Sequence, residues 1–152
     1  MYYDFFMELA YKQAVLALLK DEVPIGCVVV KGEQVIGLGH NTRNGSKNAL
    51  AHAELAAINQ ACAAVGDWRL EGCTLFVTIE PCPMCAGAIL QARISEIAFG
   101  ANNKKAGCAG SILNLLDHPG FNHTVAVVGG VLEAKCAELM QTYFRQLRDA
   151  KI

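Results

Sequence analysis

The chain predicts an α/β sandwich, and two features carry that reading. Short β-branched stretches alternate with helix-forming stretches of ten or more residues. Hydrophobic residues also make up 53% of its 152 positions, enough for a sizeable core. No repeat or low-complexity linker interrupts the pattern, so residues 1–152 are expected to form a single domain.

In chain order, residues 4–20 predict an amphipathic helix capped by Asp4, with Phe5, Leu9, Leu16 and Leu19 as its apolar face. Pro24–Val30 and Gln34–Leu38 flank a turn at Lys31-Gly-Glu and predict a hairpin. Gly39–Asn48, rich in Asn, Gly and Ser, is expected as loop. Ala49–Val65 favours helix and stops at Gly66-Asp67. Leu75–Thr78 predicts a buried strand, Cys82–Ala92 a helix and Glu96–Phe99 a further core strand. After the polar loop Asn102–Lys105 come a short helix near Ser111–Leu116, a strand at Thr124–Val128 and a last helix, Leu132–Arg148.

Composition excludes several classes of function. Charged residues are 18% of the chain against a usual share of about 25%, which argues against disorder. No apolar run approaches the ~18 residues of a membrane span, and the opening Met-Tyr-Tyr-Asp lacks the basic start of an export signal. A soluble, cytoplasmic protein without a membrane partner is expected. The net charge of −1 leaves no global footprint for nucleic acid, although residues 93–152 carry +2 against −3 for residues 1–92. Seven cysteines are an odd set for a disulfide framework. Five of them (27, 62, 73, 108 and 136) sit among apolar or small neighbours and are expected as buried hydrophobes.

Cys82 and Cys85 stand apart from that group. They lie three residues apart in Pro-Cys-Pro-Met-Cys, on one face of a helix's first turn, where the dipole and free N–H groups favour thiolates. Twenty-six residues upstream, His52-Ala-Glu54 opens another predicted helix. Two facing helix tips would set one imidazole and two thiolates around a zinc ion, one per chain. Three protein ligands with a fourth position left open characterise a catalytic rather than a structural site. His40, His118 and His123 lack ligand spacing to the others, and Glu54 is placed to shuttle a proton. A redox Cys-x-x-Cys would leave His-Ala-Glu unexplained, and a structural knuckle would need a second Cys/His pair.

These residues resemble the cytidine-deaminase-like zinc deaminases, whose signature is His-x-Glu followed by Pro-Cys-x-x-Cys. That class includes the transfer-RNA deaminases that serve as a standard example of base flipping. The resemblance narrows to the bacterial tRNA adenosine deaminase family through Val23–Val29, Gly39-His-Asn41, Thr78–Ala88, Ala109–Leu116, His118–His123, Gly129–Leu132 and Tyr143–Arg148. It implies a three-layer α/β/α sandwich around a five-stranded mixed sheet, and a homodimer that converts the wobble adenosine of a tRNA anticodon stem-loop to inosine. By position it makes His52, Cys82 and Cys85 the zinc ligands and Glu54 the proton shuttle. Asn41 would bind the flipped base, and Val23 and Pro24 would wall the pocket. Asn103, Lys104, Asn122 and His123 would meet the anticodon loop, with Asn103 standing where many members carry Asp. A deaminase of free guanine or cytosine would use the same metal site, and a zinc-stabilised RNA-binding module would have no use for Glu54.

Overall fold

A computed structural model describes residues 2–151. Five strands form one sheet: β1 (Gly26–Lys31), β2 (Gln34–His40), β3 (Cys73–Ile79), β4 (Glu96–Ala101) and β5 (Ala126–Val128). Their order is β2-β1-β3-β4-β5, with β1 antiparallel to β2 and β3, and with β3, β4 and β5 parallel. The helices are α1 (Tyr2–Leu19), a single turn α2 (Arg43–Ser46), α3 (Ala53–Val65), α4 (Pro83–Gln91) and α5 (Glu133–Asp149).

Period-two alternation along the strands sends side chains to two separate cores. Cys27, Val29, Leu75, Val77, Ile97 and Phe99 pack beneath α3 and α4. Val28, Val30, Phe76 and Ala98 face α1 and α5. The expected three-layer sandwich and five-stranded mixed sheet are therefore both present.

Small residues set the spacing between α3 and the sheet. A Cβ on Gly37 would lie 2.2 Å from the Ala57 carbonyl oxygen, and one on Gly39 would lie 2.2 Å from that of Ala53. Helix and strand backbones thus meet almost directly, which fixes how closely α3 packs on β2.

The apolar face expected for α1 is the wrong one. Of the expected residues only Leu9 packs, half-buried, against the core; Phe5, Leu16 and Leu19 are exposed, while Phe6, Met7, Ala10, Ala14 and Ala17 are buried. The helix is apolar nearly all round, so periodicity allows two solutions. Close packing selects the alanine face, because the space a Cβ on Gly26 would need is already filled by the Ala10 carbonyl and the Ala14 nitrogen. Helix α1 already runs at Tyr2, so Asp4 lies within its first turn rather than capping it.

Three boundaries also move. Asn48 accepts from the backbone N–H of Leu50 through its side chain and from that of Ala51 through its carbonyl. That turn keeps residues 49–52 out of α3, which starts at Ala53 instead of Ala49. Gly39 and His40 extend β2, and α2 forms within the expected loop. The short helix expected near 111–116 shrinks to one 3-10 turn, Leu115–Asp117, capped by the Asn114 side chain.

Gly39→Ala should cost about 1–3 kcal/mol through overpacking against α3. Urea denaturation measures it, and an unchanged midpoint would contradict the close approach.

Candidate metal centre

Strands β3 and β4 end at the edge of the sheet where β1 begins and β2 stops, and two helix N-termini converge there. His52 is the N-cap of α3, with extended backbone (φ −88°, ψ 153°), and Cys82 is the N-cap of α4 (φ −75°, ψ 175°). Pro83 follows at the first helical position of α4, where its missing N–H costs nothing. Cys85 lies one turn on and is buried.

His52 Nδ1 lies 3.7 Å from Cys82 Sγ and 3.6 Å from Cys85 Sγ. Among the described residues these form the only cluster able to hold a metal ion through three such side chains. Zn–N and Zn–S bonds of about 2.05 and 2.3 Å at a tetrahedral angle would separate the donors by about 3.6 Å, so the observed spacing fits such an ion. The other histidines are engaged elsewhere. His40 contacts Lys20 and Gln13, His118 accepts from Gly120 N–H, and His123 bonds the Ile94 carbonyl.

The thiols of the pair differ sharply. A hydrogen bond from Cys85 outweighs burial and, with the backbone N–H groups of Cys85 and Met84 and the charge of His52, pulls Cys82 down to about 5. Its hydrogen bond to Cys82, then burial and the nearby Glu54, push Cys85 far up. The pocket accepts one thiolate readily and a second only against a cation. That donor chemistry calls for a divalent metal.

Glu54 sits in the first turn of α3, only 4% exposed. Burial, reinforced by the Cys82 charge, pushes its carboxyl up to about 7. It lines a cavity of about 80 Å³ together with Val23, Ile25, Asn41, Arg43, His52 and Ala53. The structure thus brings Asn41 and Val23 together with His52 and Glu54, with buried Pro24 next to Val23 in the chain. Asn41 is fixed at both ends of its amide: Nδ2 donates to the Val23 carbonyl and Oδ1 accepts from Arg43 N–H.

The other candidates lie elsewhere. Asn103 uses Oδ1 to close its own loop, accepting from Lys105 and Ala106 N–H, beside exposed Lys104. Asn122 and His123 line a separate cavity of about 210 Å³ with Leu90, Arg93 and Phe121. Of the remaining cysteines, 27, 73, 108 and 136 are buried as expected, whereas Cys62 is half-buried.

Two buried carboxylates escaped the sequence reading. Glu22 accepts from the backbone N–H groups of Asn44 and Gly45 and so holds α2 beside Arg43. Glu80, directly after β3, gathers donors from residues 103–111. The only sequence signal for Glu80 was an acidic residue closing an apolar strand, and Glu22 offered none.

The family model described as MafB19-like deaminase matches residues 3–148. The chain is 47% identical over 148 residues to a tRNA-specific adenosine deaminase of Bacillus subtilis (strain 168), covering 97% of this chain and 92% of that protein. A tRNA-specific adenosine deaminase of Streptococcus pyogenes is 52% identical over 147 residues, with 97% and 92% covered. A solved structure from work on A-to-I editing by tRNA deaminases at the wobble position superposes with a TM-score of 0.85. It is 42% identical, with 89% of this chain and 98% of that one covered.

Glu54 makes the metal-free chain sensitive to pH. Its folded-state pKa near 7 lies above the ordinary ~4.5, so the stabilising contribution is complete below about pH 4.5 and is lost as pH rises through 7. Metal-free Glu54→Gln should therefore match the metal-free parent near pH 4 and exceed it at pH 8 by on the order of 3 kcal/mol. Denaturant midpoints after chelation give the difference, and a flat difference across that range would contradict the burial argument.

Proposed function

The chain belongs to the MafB19-like deaminase family, and from that premise we propose that it hydrolyses the wobble adenosine of a tRNA anticodon to inosine and ammonia. One observation carries the reading. The buried Glu54 carboxylate lines one cavity with His52, whose Nδ1 lies within 3.7 Å of both the Cys82 and Cys85 thiols, in a chain 47–52% identical to tRNA-specific adenosine deaminases over nearly its whole length.

Zinc held by His52, Cys82 and Cys85, one ion per chain, would supply a Lewis acid that acidifies water near pH 7. Glu54 takes a proton from the attacking water at its carboxylate oxygen and delivers it to the adenine ring nitrogen. It then passes the water's second proton to the departing amine. The C6–O bond forms, the C6–N bond breaks, and adenosine plus water gives inosine plus ammonia. A carboxylate whose burial lifts its pKa is suited to act as base and then as acid. Asn41, clamped between Val23 and Arg43, holds the base, with Val23 and Pro24 as the wall.

RNA must reach this cavity with its target nucleotide splayed out, which requires cations and stacking surfaces nearby. A cleft of about 480 Å³ between Lys105 and the end of α5 is lined by Phe144, Arg145, Arg148 and Lys151. None of these four cations is ion-paired among the described residues. Lys104, Asn103, Asn122 and His123 extend the contact with the anticodon loop.

A homodimer completes the reading. Between α3 and α4 lies a groove of about 560 Å³ lined by Leu55, Ile58, Cys62, Trp68 and Ala88, and Trp68 is 55% exposed. No helix among the described residues is long and apolar enough to cross a membrane. The place of action is the cytoplasm, where tRNA is found.

Inosine formation on an anticodon stem-loop with adenosine at the wobble position is expected, against little turnover of free adenine, guanine, cytosine or adenosine. Efficient deamination of a free base without stem-loop activity would replace this reading by a nucleobase deaminase. Glu54→Gln should lose more than ~10³-fold in turnover while keeping one zinc per chain by elemental analysis. Lys104→Ala with Lys105→Ala should weaken stem-loop binding and flatten its salt dependence, as a titration at several salt concentrations would record.

A further inference from the structure

Glu80 is 2% exposed and lines none of the cavities described above. Its carboxylate nevertheless gathers four donors, all from one loop. Oε1 accepts from Asn103 N–H at 3.0 Å and from the Ser111 hydroxyl. Oε2 accepts from the N–H groups of Ala109 at 2.9 Å and Ser111 at 3.0 Å. Pro81, the next residue, accepts from Cys108 N–H through its carbonyl at 2.9 Å. The chain then enters Cys82–Cys85 directly.

The loop wraps this carboxylate closely. A Cβ on Gly107 would sit 2.5 Å from Glu80 Cδ and 2.6 Å from Oε1, so only glycine permits the wrap. The same loop has few other anchors. Gly107, Cys108 and Ala109 are buried, while Asn102, Lys104, Lys105 and residues 110–114 are exposed. Residues 102–111 form neither helix nor paired strand beyond an isolated bridge at Ala109, so their placement depends on side-chain acceptors. One buried carboxylate provides most of them.

We propose that Glu80 is a positioning residue for the reaction, holding the loop of Asn103, Lys104 and Lys105 in register with the turn that carries Cys82 and Cys85. It touches neither substrate nor metal. Through it, the surface that receives RNA and the centre that performs the chemistry become one rigid unit. Glutamine in its place offers one oxygen, and its NH₂ group meets backbone N–H donors that then have no acceptor. The loop should loosen while the thiol pair, held by the N-terminus of α4, stays in place. The kinetic part of this proposal rests on the tRNA reading; the structural part does not.

The test compares Glu80→Gln, Ser111→Ala and the double variant with the parent chain. Hydrogen exchange at the amides of Asn103, Ala109 and Ser111 should rise about ten-fold or more in Glu80→Gln, with α3 and α4 as protected as before. On the stem-loop, KM should rise about ten-fold with kcat within about three-fold, and zinc per chain should be unchanged. Ser111→Ala, at an exposed site and missing one donor, should move the same quantities less, and the double variant should match Glu80→Gln alone. If Glu80→Gln does not fold, Ser111→Ala carries the test alone. Unchanged loop exchange, or a fall in kcat with zinc loss at constant KM, would overturn the proposal. If the parent chain leaves the stem-loop untouched, the tRNA reading fails and hydrogen exchange alone decides the role of Glu80.

Discussion

The near-contact of backbones between β2 and α3 is the constraint on which the rest of the molecule depends. Gly37 and Gly39 on the strand, against Ala53 and Ala57 on the helix, let the two elements approach until a single added carbon would collide. That approach fixes how deeply α3 sits on the sheet, and with it the depth of His52 and Glu54 at its tip. On the other side, β3 delivers Cys82 and Cys85 at its carboxyl end, the usual place for ligands in open α/β sheets. Since interiors resist sub-ångström change, the donor separations of 3.6 and 3.7 Å follow from packing far more than from the donors' own attraction.

Three buried glutamates show how one environment yields different chemistry. Glu22 and Glu80 are ringed by backbone N–H donors. For Glu80, burial alone would raise the pKa, yet the Ser111 hydroxyl and the three N–H groups hold it below the usual carboxylate range. Glu54 lacks such a ring and sits beside a thiolate, so burial dominates and its proton is held to near neutrality. The carboxylates ringed by backbone donors fix the loops at the rim, while the one dominated by burial is placed where a proton must move. The cysteines divide in the same way, since only Cys82 has helix-end N–H groups to stabilise its charge.

Much of this was legible along the chain. The order of elements, the hairpin and the pairing of His52-Ala-Glu with Pro-Cys-Pro-Met-Cys all follow from local pattern. The end of α3 followed too, where Gly66 marked it, because caps and β-branched runs act within a few residues. What failed had non-local causes. The buried face of α1 was set by the close approach of Gly26, the start of α3 by the turn at Asn48, and the lost helix near Ser111 by the bridge from Asn114 to Ala109 and the bonds of Ile112 and Leu115 N–H to the Gly107 and Cys108 carbonyls.

The sequence by itself therefore determined the kind of chemistry. Residue type fixes which atoms can bind a metal or carry a proton, and spacing puts two thiols on one helical turn. Only the tertiary structure decided which groups meet and in what ionisation state. It brought His52 to the thiols across a 30-residue gap to Cys82 and buried Glu54 beside them. It also tied the 102–111 loop to Glu80. Those outcomes depend on distances and desolvation, and neither exists until the chain is packed.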